Sequence, residues 1–242
     1  MRQKLRKGII LFTFLMFPAI FYYFSPYLII MGVSEGIVSG SFIVFTVLFL
    51  SALFLGRGFC GWFCPMAGIQ EASFSARDKK VNNKYNWIRY LIWVPWIGII
   101  IYMTVTAGGF KKIDFLYQTT YGFSISDVYA LFIYLIVVIL VITLSFSVGK
   151  RAFCHYVCWI SPFMIGGRKF RNLFKWPSLR LKAEKDKCIH CMTCSENCPM
   201  SLDVNSMVKS GKMENSECIL CGTCVDNCKQ GVIKYSFSRG TK

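Results

Sequence analysis

Twelve cysteines carry most of the chemistry available to this 242-residue chain. The stretch GRGFCGWFCP, residues 56 to 65, places Cys60 and Cys64 directly after a long apolar run. Two thiolates are soft ligands, yet an iron–sulfur cluster or a tetrahedral metal wants four. A second pair, Cys154 and Cys158, has the same spacing in GKRAFCHYVCW, residues 149 to 159. Arg57 and Arg151 each lie three residues before the first cysteine of their pair, with Phe immediately before that cysteine, so the two stretches form a weak internal repeat. Residues four apart share a helix face, and two such half-sites can meet if the chain returns to the same place. One shared [4Fe–4S] cluster on Cys60, Cys64, Cys154 and Cys158 is the expectation. Copper or zinc, or structural or redox-active thiols, are the other readings. The two arginines either offset the negative charge of a thiolate-bound cofactor or snorkel toward lipid headgroups.

The remaining eight cysteines follow a tighter rule. Residues 188 to 199 read CIHCMTCSENCP and residues 218 to 228 read CILCGTCVDNC, so C-x2-C-x2-C-x3-C occurs twice. In a two-cluster ferredoxin, three thiolates at this spacing hold one cubane and the fourth is directed to the other. Carried over, Cys188, Cys191, Cys194 and Cys228 hold one [4Fe–4S] cluster, and Cys218, Cys221, Cys224 and Cys198 the second. Zinc also accepts thiolate quartets, but isolated C-x2-C pairs would suffice for it. Pro199 follows the first run, whereas Lys229 stands in the equivalent place after the second. Met200 to Glu217 reads as a surface hairpin or loop.

These sites must be positioned by a chain that is 55% hydrophobic. Four intervals lack any charged residue: Gly8 to Ser34, Gly36 to Gly56, Tyr90 to Phe110 and Val128 to Gly149. Each is long enough to cross about 30 Å of hydrocarbon as a helix. The expected fold is therefore an α-helical membrane domain of four transmembrane helices over residues 1–165. A basic amphipathic linker follows at 166–187, then a small α+β two-cluster bacterial-type ferredoxin domain at 188–242. The first span follows Arg2, Lys4, Arg6 and Lys7 but lacks an Ala-x-Ala site, and it reads as a retained span bent at Pro18, with Pro26 kinking or ending it. Basic residues gather at the N-terminus, in the loop Arg57 to Asn86 and from Lys150 onward. The positive-inside rule then puts both termini and every cysteine on the cytoplasmic side of a multi-pass protein in a prokaryotic cytoplasmic membrane. That compartment disfavours disulfides.

GRGFCGWFCP, followed by spans, a second C-x3-C pair and the doubled ferredoxin motif, resembles the membrane-bound polyferredoxin-like proteins. The similarity is greatest to the membrane iron–sulfur subunit associated with periplasmic nitrate reduction. Parts also resemble the nitrous-oxide-reduction regulatory protein and the cytochrome oxidase assembly ferredoxin. The resemblance covers Gly8 to Cys228 and implies an electron carrier between membrane quinol and a partner redox system, with its C-x3-C-P pairs facing the cytoplasm. One departure concerns the second half-site: Pro65 follows Cys64, but Cys158 is followed by Trp159 and the nearby proline is displaced to Pro162.

Other residues narrow the function. His155 and His190 are the only histidines, and neither lies in an expected span, so a two-histidine membrane haem is excluded. His155 reads as a solvent or interface residue, with cluster tuning or proton relay as its other role. No catalytic residue set stands out, and the charge-free spans argue against an ion path. Tyr22, Tyr23, Trp93, Trp96 and Tyr102 are candidate quinone contacts, although aromatic girdles and core packing account for them without a quinone. The linker, GGRKFRNLFKWPSLRLKAEKDK, interleaves eight basic residues with aromatics and leucines and suits a lipid surface rather than nucleic acid. The formal charge of +16 leaves a basic surface for an acidic redox partner. The leading expectation is an electron-transfer subunit of a multisubunit oxidoreductase complex, working between a quinol or membrane redox partner and a soluble redox protein or enzyme. A reductase or assembly factor that reduces a metal or cofactor for another protein, and a cluster-based redox sensor, are the alternatives.

Overall fold

The structure, a computed structural model, describes residues 1–75, 77–125 and 127–239. Among these, Asn83–Thr106 and Val128–Ser147 are long and apolar enough to cross a membrane. A third joins them if Arg2–Leu15 and Phe17–Phe24, bent by 59° at their junction, count as one span. Only 11% and 17% of the residues in the most apolar stretches of the two unbroken helices are buried. Exposed Val94, Ile101, Phe132 and Ile139 give them greasy outer faces, which lipid covers better than water. The protein is membrane-associated on this ground.

The other two expected spans are modified by identifiable residues. Pro18 sits at the start of the second piece of the first span, where its missing N–H and its ring break the preceding hydrogen-bond ladder. Ser25 then accepts from the Leu28 amide at 3.4 Å and opens a separate helix, Pro26–Ser34, with Pro26 in the first turn. Residues 36–56 yield a 16-residue helix, Gly40–Leu55, about 24 Å long and short of the ~30 Å hydrocarbon thickness. Its expected N-terminal residues are diverted into strand β1, Ile37–Ser39.

Strand β1 pairs in parallel with β2, Lys112–Asp114, in the register Ile37↔Lys112 to Ser39↔Asp114. The Lys111 amide donates to the Gly36 carbonyl at 2.7 Å. The turn around Glu35 and the segment 107 to 127, which carry few basic residues and are therefore expected on the outer side, thus meet each other. Between them and the cysteines, Phe45, Trp96 and Phe163 pack edge to face with centroids 5.4 to 5.7 Å apart.

At the other end, β3, Ser178–Ala183, pairs antiparallel with β4, Ile233–Ser238, from Ser178↔Ser238 to Ala183↔Ile233. Both four-cysteine motifs lie between these strands. Residues 166–187 accordingly do more than link: their first part extends the helix Ile160–Leu173, and β3 supplies half of the ferredoxin-end sheet. Arg168, Arg171 and Arg180 turn inward to Glu214, with the closest contact 2.6 Å from Arg168 Nε. Phe170, Leu173, Phe174 and Trp176 stay exposed. The stretch expected as a loop, 200–217, contains a helix, Val204–Lys209, whose first turn is capped by Asp203.

Candidate metal centre

The two C-x3-C half-sites are built alike. Gly56 (φ 57°) ends the helix Gly40–Leu55, and Arg57 leads into a five-residue helix, Gly58–Trp62. Gly149 (φ 134°) and Arg151 (φ 50°) lead from Val128–Ser147 into the five-residue helix Ala152–Tyr156. In the first, the Phe59 carbonyl accepts from the amides of Phe63 and Cys64 at 2.9 and 3.0 Å. In the second, the Phe153 carbonyl accepts from Val157 and Cys158 at 3.0 and 2.9 Å. The first cysteine of each pair therefore lies inside a short helix and the second follows its end. Pro65 opens the next helix, Pro65–Ala72, whereas Pro162 is the third residue of Ile160–Leu173. Both positions are in a first turn, where amides lack helical acceptors, so the displaced proline leaves the local fold intact.

Cys60, Cys64, Cys154 and Cys158 are all buried in one contiguous core. Burial pushes the Cys60 thiol up, with the Arg57 charge working against it. It pushes Cys64 well up, reinforced by repulsion from the other three sulfurs. Cys158 is raised to about 12, by burial first and then by Cys154 and Cys60. Four thiols that repel one another as thiolates in a dry pocket ionise when a metal replaces their protons.

The eight remaining cysteines gather into two further groups. Cys188, Cys191, Cys194 and Cys228 line one cavity of about 200 Å³. Cys198, Cys218, Cys221 and Cys224 line another, of about 20 Å³. Burial pushes Cys198 up to about 12 and also raises Cys224, where repulsion from Cys218, Cys221 and Cys198 adds to it. The two motifs share an unusual backbone. His190 (φ 57°) and Met192 (φ 62°) match Leu220 (φ 51°) and Gly222 (φ 77°) position for position. Left-handed residues alternating with right-handed or extended ones turn successive N–H groups to one side and form a nest for an anion. Such a nest fits a cluster whose inorganic sulfides accept hydrogen bonds.

Among the described residues, no group of three or more His, Cys, Asp or Glu is arranged to hold a metal ion. Four sulfurs around one zinc, at about 2.3 Å each, would stand only ~3.8 Å apart. A cubane interposed between its ligands needs wider spacing, and the all-cysteine donor sets have the chemistry that such a cluster takes. Buried atoms without partners agree with this. Arg57 Nε, Arg151 Nε and Arg89 Nε are buried and unpaired within the protein.

The arginines answer to acidic residues that the sequence did not single out. Arg57 Nη1 donates to Glu217 at 2.8 Å, and Arg89 donates to the same carboxylate. Arg6 Nη2 donates to Glu71 at 2.6 Å, and Arg151 donates to that carboxylate as well. Arg57 and Arg151 are both 0% exposed, which overturns the headgroup-snorkelling reading. Burial would raise the Glu217 carboxyl, but the Arg89 hydrogen bond and the Arg57 charge hold it at about 2. His155, expected at the surface, is also 0% exposed. Its Nδ1 lies 2.9 Å from Asn86 Oδ1 and its Nε2 is unpaired. Burial, aided by nearby arginines and opposed by Glu217, lowers its pKa to about 3 and keeps the ring neutral. The only advance signal for Glu71 and Glu217 was scarcity, since the chain has 12 acidic residues against 28 basic ones.

The half-sites and the second four-cysteine motif touch directly. A Cβ on Gly61 would collide with the Ile219 carbonyl and lie 3.4 Å from Cys221 Cα. Trp62 Nε1 donates to the Leu220 carbonyl at 3.1 Å, and Arg151 Nη1 donates to the Cys60 carbonyl at 2.7 Å.

Two 4Fe–4S domain families match the chain. The 4Fe–4S binding domain matches residues 38–84 and 129–177, one segment around each C-x3-C pair. The 4Fe–4S dicluster domain matches residues 187–233. The chain is 29% identical to an uncharacterized protein of Methanocaldococcus jannaschii over 171 residues, 65% of either protein. The match thus spans just under two thirds of that relative's own length. A second uncharacterized protein of that organism is 26% identical over 89% of this chain and 81% of its own. YccM of Escherichia coli, to which an electron-transport role is ascribed, is 23% identical over 78% of this chain and 54% of its own. None of the three is named for nitrate reduction. No solved structure matches. The matched domains are those of iron–sulfur proteins, and the broad resemblance to membrane-bound polyferredoxin-like proteins stands on them.

Proposed function

We propose that the chain is a membrane-anchored iron–sulfur electron-transfer subunit of four spans, with both termini and all three cysteine groups on the cytoplasmic side. Cys188, Cys191, Cys194 and Cys228 hold one [4Fe–4S] cluster. Cys198, Cys218, Cys221 and Cys224 hold a second, and Cys60, Cys64, Cys154 and Cys158 a third. When bound, such clusters supply reversible one-electron chemistry. The carrying observation is the backbone contact of Gly61 with Ile219 and Cys221, which leaves no side chain between the membrane-edge half-site and the second motif. In the proposed order the membrane-edge group comes first, the Cys218 group, whose Cys221 meets Gly61, second, and the Cys188 group third.

The chain's own residues keep this path dry and fixed. Phe59, Phe153 and Trp159 pack around the half-sites, and Phe153 meets Trp159 edge to face at 5.6 Å. The donor is a quinol or another membrane redox partner. An apolar groove of about 720 Å³, whose lining includes Phe24, Phe59, Trp62, Leu220 and Tyr235, supports an apolar donor at this place. Trp93 and Trp96 line a separate cavity of about 410 Å³, whereas Tyr22, Tyr23 and Tyr102 line neither. The acceptor is a redox protein or enzyme in the same complex, reached from the exposed Cys191. The basic segment 166–187 rests its exposed aromatics on lipid.

Anaerobically purified protein should contain about twelve iron atoms and matching sulfide, with three reducible centres by electron paramagnetic resonance. Cys60→Ser should remove about four of those irons and one signal, leaving the other two centres reducible. Zinc with little iron, or about eight irons in the unaltered protein, would overturn the assignment in whole or for the membrane-edge group.

A further inference from the structure

Around the membrane-edge cysteines the structure repeats one charge pattern twice. Arg57, Glu217 and Arg89 form one buried group, and Arg151, Glu71 and Arg6 the other. Each has two guanidiniums and one carboxylate, which leaves one positive charge. The four arginine side chains are at most 2% exposed and the two glutamate side chains 5% and 8%, so solvent does not balance the excess. An unpaired buried charge is costly, and the unpartnered Nε atoms of Arg57, Arg89 and Arg151 are the local form of that deficit.

The missing counter-charge has a natural source. Arg57 and Arg151 each start a half-site, and Arg151 Nη1 and Arg6 Nη1 donate to the carbonyls of Cys60 and Gly61 at 2.7 and 3.1 Å, which sets the triads against the cysteine loops. Two triads contribute two positive charges, and a [4Fe–4S]2+ core with four thiolates carries about two negative ones. We infer that the two Arg–Glu–Arg triads are positioning groups that neutralise the membrane-edge cofactor and hold its reduction potential up. Each arginine is fixed by its glutamate rather than left to find the cofactor on its own. Gln70 is a neutral companion: it is fully buried, and its Nε2 lies 3.3 Å from Cys154 Sγ.

This inference rests on the proposed occupancy of the Cys60 group, and its test separates the two. Iron is counted first: about eight rather than twelve in the unaltered protein removes the parent reading. With twelve irons present, the centres are titrated one by one by paramagnetic resonance. Arg151→Gln removes a positive charge and should lower the midpoint of the membrane-edge centre. Glu71→Gln removes a negative charge from the same triad and should raise it. Each shift should change the reduced-to-oxidised ratio about tenfold at fixed potential, about 59 mV for one electron. Arg151→Lys, which keeps the charge, should return the midpoint close to its original value. The Cys188 centre, whose Cys191 is exposed, should stay unmoved throughout. Opposite signs from the two neutral substitutions distinguish charge from loosened packing, which would move both the same way. Shifts of one sign, or none, in protein retaining its iron would overturn the inference. If Arg151→Gln fails to keep its iron, the upward shift in Glu71→Gln decides it, and no rise there counts against it.

Discussion

Gly61 shows how much can depend on a missing methyl group. It lies between Cys60 and Cys64, where the sequence admits two explanations: a tight turn, or close approach by another group. The structure favours approach, because Gly61 keeps an ordinary helical backbone and is pressed against the Ile219 carbonyl. An alanine there must push two backbones apart, and overpacking of this kind costs about 1–3 kcal/mol. Gly61→Ala should therefore loosen the second motif from the half-sites while leaving each motif's own ligands in place. The expected result is a full iron content, faster cleavage of the chain between 173 and 188 by protease, and slower reduction of the Cys218 centre by electrons delivered at the membrane. Unchanged proteolysis and kinetics would show that the contact does not hold the path together.

Among the elements, the helix Ile160–Leu173 and strand β3 tie the two ends of the protein to one carboxylate. Glu214 receives Arg168 from the helix at 2.6 Å, and Arg171 and Arg180 at 3.4 and 3.3 Å. Burial would raise its carboxyl, but the hydrogen bond and charge of Arg168, with help from Asn172 and Arg171, bring it down to about 2. A depressed folded-state pKa gives stability that is complete above the unfolded value of about 4.5 and is lost as pH falls toward 2. Thermal unfolding followed from pH 6 down to 2.5 should show Glu214→Gln less stable at pH 6 and flatter below 4.5. A variant as steep as the original would deny Glu214 this role. The same elements show what the sequence could and could not carry. The doubled C-x2-C-x2-C-x3-C motif is local, so its presence could be read from spacing, whereas the crossed grouping of Cys198 and Cys228 was an expectation carried over from two-cluster ferredoxins. The repeated half-site could also be read, because each copy brings its own helix, glycine turn, arginine and Phe-Cys. The acidic partners could not, since Glu71, Glu214 and Glu217 find their arginines across 34 to 160 positions. Span lengths were blurred for a different reason: charge-free intervals mark what tolerates lipid, while Pro18, Pro26 and the strand at Ile37–Ser39 decide how much of each interval is one helix.

At the scale of the molecule, the two ends of the membrane portion differ in chemistry. One end gathers all twelve cysteines with the arginine groups. The other joins the segments around Gly36 and Lys112 through the β1–β2 pairing. The strand pairing links segments that follow the first and third expected spans, as it should if both lie beyond the same face of the membrane. Only Lys111 and Lys112 are basic there, whereas the cysteine end carries most of the positive charge, an asymmetry that orients chains with basic loops inside. Lys112 is exposed, as is Lys84 in the 3-10 turn Asn83–Tyr85, which begins the span Asn83–Thr106 at the cysteine end. In intact cells, a thiol reagent that cannot cross the membrane should label Lys112→Cys directly and Lys84→Cys only after permeabilisation. Because the native cysteines are expected on the inner side, the unaltered protein should remain unlabelled until the membrane is opened. The reverse pattern would invert the molecule, and protection of both positions from outside would mean that the charge-free intervals do not complete four crossings. A centre at Cys60 and Cys154 could then no longer be assumed to share a compartment with the two that follow it.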